Sequence, residues 1–342
     1  MAIPRVEAPL GAPLPYVLPD HAGEAITLIG TKSVIRVFAS AKETDGAMSV
    51  FAMNGVTGDA PGFHYHREAH DIFMCTKGRL KVWAGDRCRI LSPGDFCSVP
   101  PTVVHNPQLV DPYNETLGLV TPGAWLDFFR FIGEKYDGIV ANEFDNRDFR
   151  AAIFPKIPQI RENYDVIFER DFQGAEVGEW TDEDTKIPGN TQSYYLKANT
   201  GPRYLLGGVL SRPFITTKQC DGKFAITSIE SSRKYGDSVL SRPFVFTRTH
   251  QVFCVLEGSI AIVAKGQETR VSANETAFIP AGSEISLKFL AGYVRIWVYS
   301  SGNGLESLIE QAGGPFEGII IPEKARDVDM EKVKEAASNL HV

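Results

Sequence analysis

The sequence predicts a mainly β protein built from two barrels in tandem, and three observations carry that reading. The 342-residue chain aligns on itself with an offset of 180 residues. Asp71-Ile72-Phe73-Met74-Cys75-Thr76-Lys77-Gly78 falls on Gln251-Val252-Phe253-Cys254-Val255-Leu256-Glu257-Gly258, Pro100 on Pro280, Gly133 on Gly313 and Gly138 on Gly318, without a slip. Short apolar runs separated by turn residues dominate both halves, as barrel or sandwich strands require. The length exceeds one ordinary core and suits two domains of about 100 to 150 residues each.

The elements follow in order. Ser49-Val50-Phe51-Ala52-Met53 ends at Asn54-Gly55, Leu80-Lys81-Val82-Trp83 ends before Gly85-Asp86, and Phe96-Cys97-Ser98-Val99 follows Pro93-Gly94-Asp95. These runs are too short and too punctuated for helices. The second half repeats the rhythm in residues 224–229, 252–257, 260–263 and 277–279. A helix is expected after each set, over 125–132 and 305–312, with Phe128 and Phe129 falling on Leu308 and Ile309. The first barrel is therefore placed at 1–141 and the second at 201–342. Between them, 142–200 carries Pro155, Pro158, Pro188 and an acidic stretch over 176–184. This reads as a long linker with some helix over 147–154, draped over the barrels, because a structureless segment of that length is unusual in a compact protein. Near the C-terminus, Met330, Val333, Ala337 and Leu340 share one helical face, which suits packing on a barrel.

Composition narrows the function classes. A formal charge of −7, spread without a basic block, offers nothing to neutralise phosphates, so no nucleic-acid partner is expected. No run reaches the roughly 18 apolar residues that span a bilayer, and no leader pattern opens the chain, so an intracellular, cytoplasmic setting without membrane contact is the expectation. Cys75, Cys88, Cys97, Cys220 and Cys254 form an odd set without a CxxC pair, which fits reduced thiols.

The two halves differ where chemistry is concentrated. His64, His66, Asp71 and His105 fall on Phe244, Phe246, Gln251 and Ile285, so four metal-ligand types face three apolar residues and an amide. His64 and His66 are two apart, so on a strand both imidazoles project from one face and can converge on one ion. His70 continues that alternation but follows an expected turn, which places it in a pocket or on the surface. Glu68 reads as solvated, and His250, beside Gln251, as structural. Phe73, Trp125, Phe128, Phe129 and Phe131 are either core or the lining of a pocket for an aromatic substrate. Imidazole and carboxylate ligands suit copper, iron, manganese, nickel or zinc, and residue type alone does not choose among them.

The spacing of His64, His66, Asp71 and Gly78, followed by Gly94, Pro100 and His105, resembles the two motifs of the cupins, with Thr102 standing where the second motif has glycine. The resemblance implies two jelly-roll barrels, hence a bicupin. Pro15-Tyr16-Val17-Leu18-Pro19, His64-Tyr65-His66, residues 71–79, Gly94-Asp95-Phe96, Ser98-Val99-Pro100 and Thr121-Pro122-Gly123-Ala124-Trp125 are similar to the fungal quercetin 2,3-dioxygenases along nearly the whole chain. That family implies one divalent transition metal in the first barrel on three His and a Glu, a second barrel without ligands, a flavonol substrate, dioxygen, and the carboxylate as catalytic base. Here Asp71 replaces the Glu, with a side chain shorter by one carbon–carbon bond of about 1.5 Å. Asp71 is therefore expected either as a ligand on a strand that moves inward or as a base beside the metal, with Glu68 or His70 able to complete the set. A quercetinase-like dioxygenase is the first expectation. A non-redox isomerase, cyclase or decarboxylase acting on a polyketide in intracellular secondary metabolism is the second. Dimerisation, common in that family, makes a homodimer a further expectation.

Overall fold

Apolar side chains on alternate positions of these short runs bury one face of each strand and pair the backbones into antiparallel ladders. The computed structural model describes residues 2–342 except Ile139 and Asp237. Its described residues divide into two units, one of 23–41 and 46–200, the other of 2–22, 42–45 and 201–342.

In the unit of the first barrel, an eight-stranded sheet runs in the order Gly133–Lys135, Glu24–Leu28, Ser33–Ala39, Ser49–Gly55, Asn114–Thr121, His70–Lys77, Phe96–Val99, Tyr194–Leu196. A five-stranded sheet runs Ile167–Phe168, His64–Tyr65, His105–Leu109, Leu80–Ala84, Arg87–Leu91. One part of the interior is packed by Cys75, Leu80, Val82, Leu91, Cys97 and Tyr195. Another is packed by Ile35, Val37, Val120 and the aromatic residues 125–129. The other unit repeats the plan with an eight-stranded and a four-stranded sheet around Phe253, Val255, Ile262, Leu287 and Val298.

The offset of 180 residues holds at the level of strand register. His64 pairs with His105 as Phe244 pairs with Ile285, and Asp71 pairs with Val99 as Gln251 pairs with Ile279. The turn glycines match too. Gly78 has φ +67°, and a Cβ there would lie 2.3 Å from Tyr113 O; Gly258 has φ +74°, with Tyr293 O at 2.5 Å. Both positions need a residue without Cβ, because the turn is left-handed and the neighbouring carbonyl presses on it.

The contact division departs from the expected boundaries of 1–141, 142–200 and 201–342. The N-terminal segment belongs with the second barrel: Tyr16–Leu18 pairs with Thr276–Ile279, Ile3 and Val17 join that core, and Arg5 is ion-paired to Glu275. An apolar triplet without a hairpin partner of its own is stabilised on any open sheet edge, so closeness in sequence does not decide where it goes. Likewise 142–200 is counted with the first barrel, whose edge strand Phe96–Val99 takes up Tyr194–Leu196.

Helix 305–312 is found as Leu305–Ala312, whereas 125–132 is a 3-10 turn Gly123–Leu126 followed by Asp127–Ile132. In the linker, Phe149–Ile153 is joined by an unanticipated helix Ile157–Asn163. Pro158 sits in its first turn, where the missing N–H costs nothing. Within the acidic stretch, Asp184 is buried and holds Arg89 at 3.1 Å instead of facing solvent. The C-terminal helix is Met330–Leu340, capped by Asp329, with Val333 and Ala336 buried. All five cysteines are buried and unpaired. No helix among the described residues is long and apolar enough to cross a membrane.

Candidate metal centre

His64 lies on the two-residue strand His64–Tyr65, paired with His105 on one side and with Phe168 of the linker on the other. His66 follows one residue past that strand, and Asp71 is the second residue of His70–Lys77. These elements bring His64, His66 and His105 together: one ligand atom from each lies within 4.8 Å of the others, and all three residues are buried. The ring centroids are 4.3 Å apart for His64 and His105, 5.1 Å for His66 and His105, and 5.2 Å for His64 and His66.

Second contacts fix which nitrogen faces inward. His64 Nδ1 donates to Gly62 O at 2.8 Å, His66 Nδ1 to Asp165 O at 2.7 Å and His105 Nδ1 to Val103 O at 3.0 Å. A carbonyl only accepts, so each Nδ1 carries a proton, and in the neutral ring each Nε2 keeps its lone pair. This is the pattern by which metal-binding histidines are oriented.

Asp71 Oδ2 lies 3.1 Å from His105 Nε2 and 3.2 Å from His66 Nε2, the latter without hydrogen-bond alignment. Asp71 is not part of the mutually close histidine group. Its Oδ2 nonetheless reaches two of the three imidazoles from one side. Burial pushes its carboxyl upward, but His66 and His105 outweigh that and hold it well below the ordinary carboxylate range. Burial together with the other two rings pushes His64 well down. Burial also acts to lower His66, yet the attraction of Asp71 prevails and raises it. An ionised carboxylate against two imidazole lone pairs is repulsive unless positive charge lies among them. Protons on both rings supply that charge at the cost of repelling each other; one shared cation supplies it without that repulsion. The donor set thus fits a divalent transition metal, with coordination positions left over for further ligands.

The aromatic residues separate into two groups. Trp125 packs edge-to-face on His66 with centroids 4.8 Å apart, and its buried indole N–H has no protein acceptor. Phe73, half-buried, lies 6.0 Å from His105. Phe128 and Phe129 instead pack on Trp125 at 5.1 and 5.2 Å within the apolar core, so they support the indole from behind. Phe131 stacks on Tyr164.

His70 is a correction. It precedes Asp71 on the same strand, so its side chain takes the opposite face, where Nε2 meets Ser98 Oγ at 2.8 Å. The alternation that began at His64 does not carry through to it, because 67–69 interrupt the strand and reset the phase. Glu68 is exposed, as expected. His250 is buried, accepts from Ala281 N at 3.3 Å and stacks on Phe278, in keeping with a structural role. Thr102 takes φ +71°, the conformation the motif glycine would supply, and its N–H donates to His66 O at 2.6 Å.

Two contributors escaped the sequence reading, Asp165 and Phe168. Phe168 packs 6.0 Å from His64. Both lie in the linker, outside the repeat, so no motif spacing points to them.

In the second barrel Phe244, Phe246, Gln251 and Ile285 hold the equivalent positions, and the Gln251 amide has no protein partner. Replacing Phe244 and Phe246 together by His should add no metal, since Ile285 still supplies no nitrogen. Elemental analysis of the double variant should give the metal-to-protein ratio of the parent.

Residues 54–112 match the family described as Cupin domain. The chain is 23% identical over 309 residues to the quercetin 2,3-dioxygenase of Bacillus subtilis, covering 90% of this chain and 89% of that protein. It is 25% identical over 340 residues to the quercetin 2,3-dioxygenase of Aspergillus japonicus, covering 90% and 95%. Among solved structures, protein Ylba from E. coli superposes with a TM-score of 0.53 at 11% identity, over 86% of this chain and 93% of that one, a likeness of fold alone. With two barrels of matched register and a cupin domain in the first, the chain has a bicupin fold and is similar along nine-tenths of its length to proteins named quercetin 2,3-dioxygenase.

Proposed function

We propose that this protein is a metal-dependent dioxygenase that opens a flavonol or a related aromatic enol. One divalent transition metal would be held by His64, His66 and His105, with Asp71 as the base. The observation that carries the reading is the convergence of three buried imidazoles, each with Nδ1 on a carbonyl, beside the Asp71 carboxylate. The likeness to relatives named quercetin 2,3-dioxygenase supports the substrate class.

When bound, the metal supplies Lewis acidity that acidifies a phenolic or enolic hydroxyl and, where redox-active, a route for reaction with dioxygen. The residues do the rest. The three carbonyls hold the imidazoles with Nε2 inward. Asp71, kept ionised by His66 and His105, accepts the hydroxyl proton once that oxygen comes within about 3.2 Å of Oδ2. Phe73 beside His105 and Trp125 beside His66 offer apolar surface for a planar ring.

A non-redox isomerase, cyclase or decarboxylase acting on a polyketide is the second reading. It is favoured by one feature, the placing of Asp71 to move a proton whether or not oxygen takes part. The test is elemental analysis of the purified protein, then incubation with flavonols in air and under strict anaerobiosis. The first reading expects ring opening with stoichiometric oxygen uptake and none without air. Turnover without oxygen would replace it by the second.

A further inference from the structure

The three histidines differ in where their Nδ1 acceptors come from. His64 uses Gly62 O and His105 uses Val103 O, each two residues earlier in the chain, just before the strand that the histidine opens, so local chain geometry supplies the contact. His66 instead reaches Asp165, 99 residues later, in the linker. Asp165 is itself held by its side chain. Arg67 Nε donates to Oδ1 at 2.8 Å and Glu68 N donates to Oδ2 at 2.8 Å, so the two residues after His66 grip the residue that orients it. The backbone at Asp165 is left-handed, with φ +54°, a conformation that Asp tolerates better than most residues and that aims its carbonyl at the imidazole. On either side, Tyr164 stacks on Phe131, Val166 is buried in the core, and Ile167 and Phe168 pair with Tyr65 and His64.

From this arrangement, and resting on the reading of the cluster as a metal centre, we infer that Asp165 is the positioning residue of the metal site: its carboxylate clamps the linker onto 67–68 so that its carbonyl holds His66 with Nε2 inward. Metal affinity is then coupled to docking of the linker through the His66 Nδ1 contact, whereas the Nδ1 contacts of His64 and His105 are made within their own stretches of chain. The carboxylate never touches the metal or a substrate; it acts through His66.

Asp165→Gly separates clamp from conformation, since glycine adopts the same φ without strain and removes only the side chain. With zinc as the probe, the full-length variant should bind about 10- to 100-fold more weakly than the parent, the usual effect of losing an outer partner of a ligand histidine. Asp165→Asn, which tolerates a left-handed backbone and keeps an acceptor for Glu68 N–H, should recover part of the loss. Arg67→Ala, at an exposed position, should weaken binding by at most about fivefold. A second readout is the His66 Nδ1–H proton in the 15N-histidine-labelled, zinc-loaded protein. It should be protected from exchange in the parent and lose that protection in Asp165→Gly, while the corresponding proton of His105 is unchanged. Equal zinc affinity in Asp165→Gly and the parent, or an unchanged His66 signal, overturns the inference and leaves the metal centre standing. Failure of the parent itself to bind zinc or any other divalent ion overturns both.

Discussion

Alanine in place of His66 or His105 is expected to abolish metal retention and turnover together. Each residue supplies one of three converging nitrogens, and each is also one of the two groups that keep Asp71 ionised. The loss in metal affinity should exceed the roughly 10- to 100-fold that follows removal of an outer-shell partner, because a first contact is gone. Metal content after gel filtration, set beside oxygen uptake with a flavonol, measures both effects on one sample. Normal metal content in either variant would place the ion elsewhere.

The second large effect is expected at Asp71, and it has the opposite signature. Asp71→Asn keeps the size of the side chain and its reach to His105, but an amide cannot accept a proton. The three imidazoles remain, so metal content should stay close to that of the parent while kcat falls by about 10²- to 10⁴-fold, the range of a lost general base. Asp71→Glu tests the geometry from the other side. One more bond carries the carboxylate about 1.5 Å further toward the histidine group. Tighter metal binding is expected, and if the pocket is shaped around Asp it comes with a lower kcat. Steady-state kinetics alongside metal titration separate the variants: one loses rate at constant metal, the other gains metal.

Much of this was legible in the chain because the duplication carries its own check. The offset that places Phe244 on His64 and Ile285 on His105 reappears as identical strand pairing, so the contrast between a ligand-bearing and an apolar barrel is a difference of side chains on one scaffold. The His64 and His66 spacing also survives, since two residues apart on an extended segment share a face. What stayed hidden depended on long-range pairing. Tyr16–Leu18 settles on the second barrel because its edge was open, and nothing local in that triplet encodes the choice. Asp165 and Phe168 reach the histidines from a linker that has no counterpart in the repeat. His70 was misplaced for a different reason. The expected turn does lie between His66 and His70, but the strand that opens at His70 buries its imidazole on Ser98 instead of leaving it at a pocket or on the surface.

The claim beneath all of this is that His64, His66 and His105 bind a single ion through Nε2. X-ray absorption spectroscopy of the zinc-loaded protein tests it without reference to substrate or turnover. Three imidazole nitrogens at about 2.0–2.1 Å around one zinc per chain is the predicted result. A fit requiring one imidazole or none, with sulfur or oxygen ligands in their place, would contradict it.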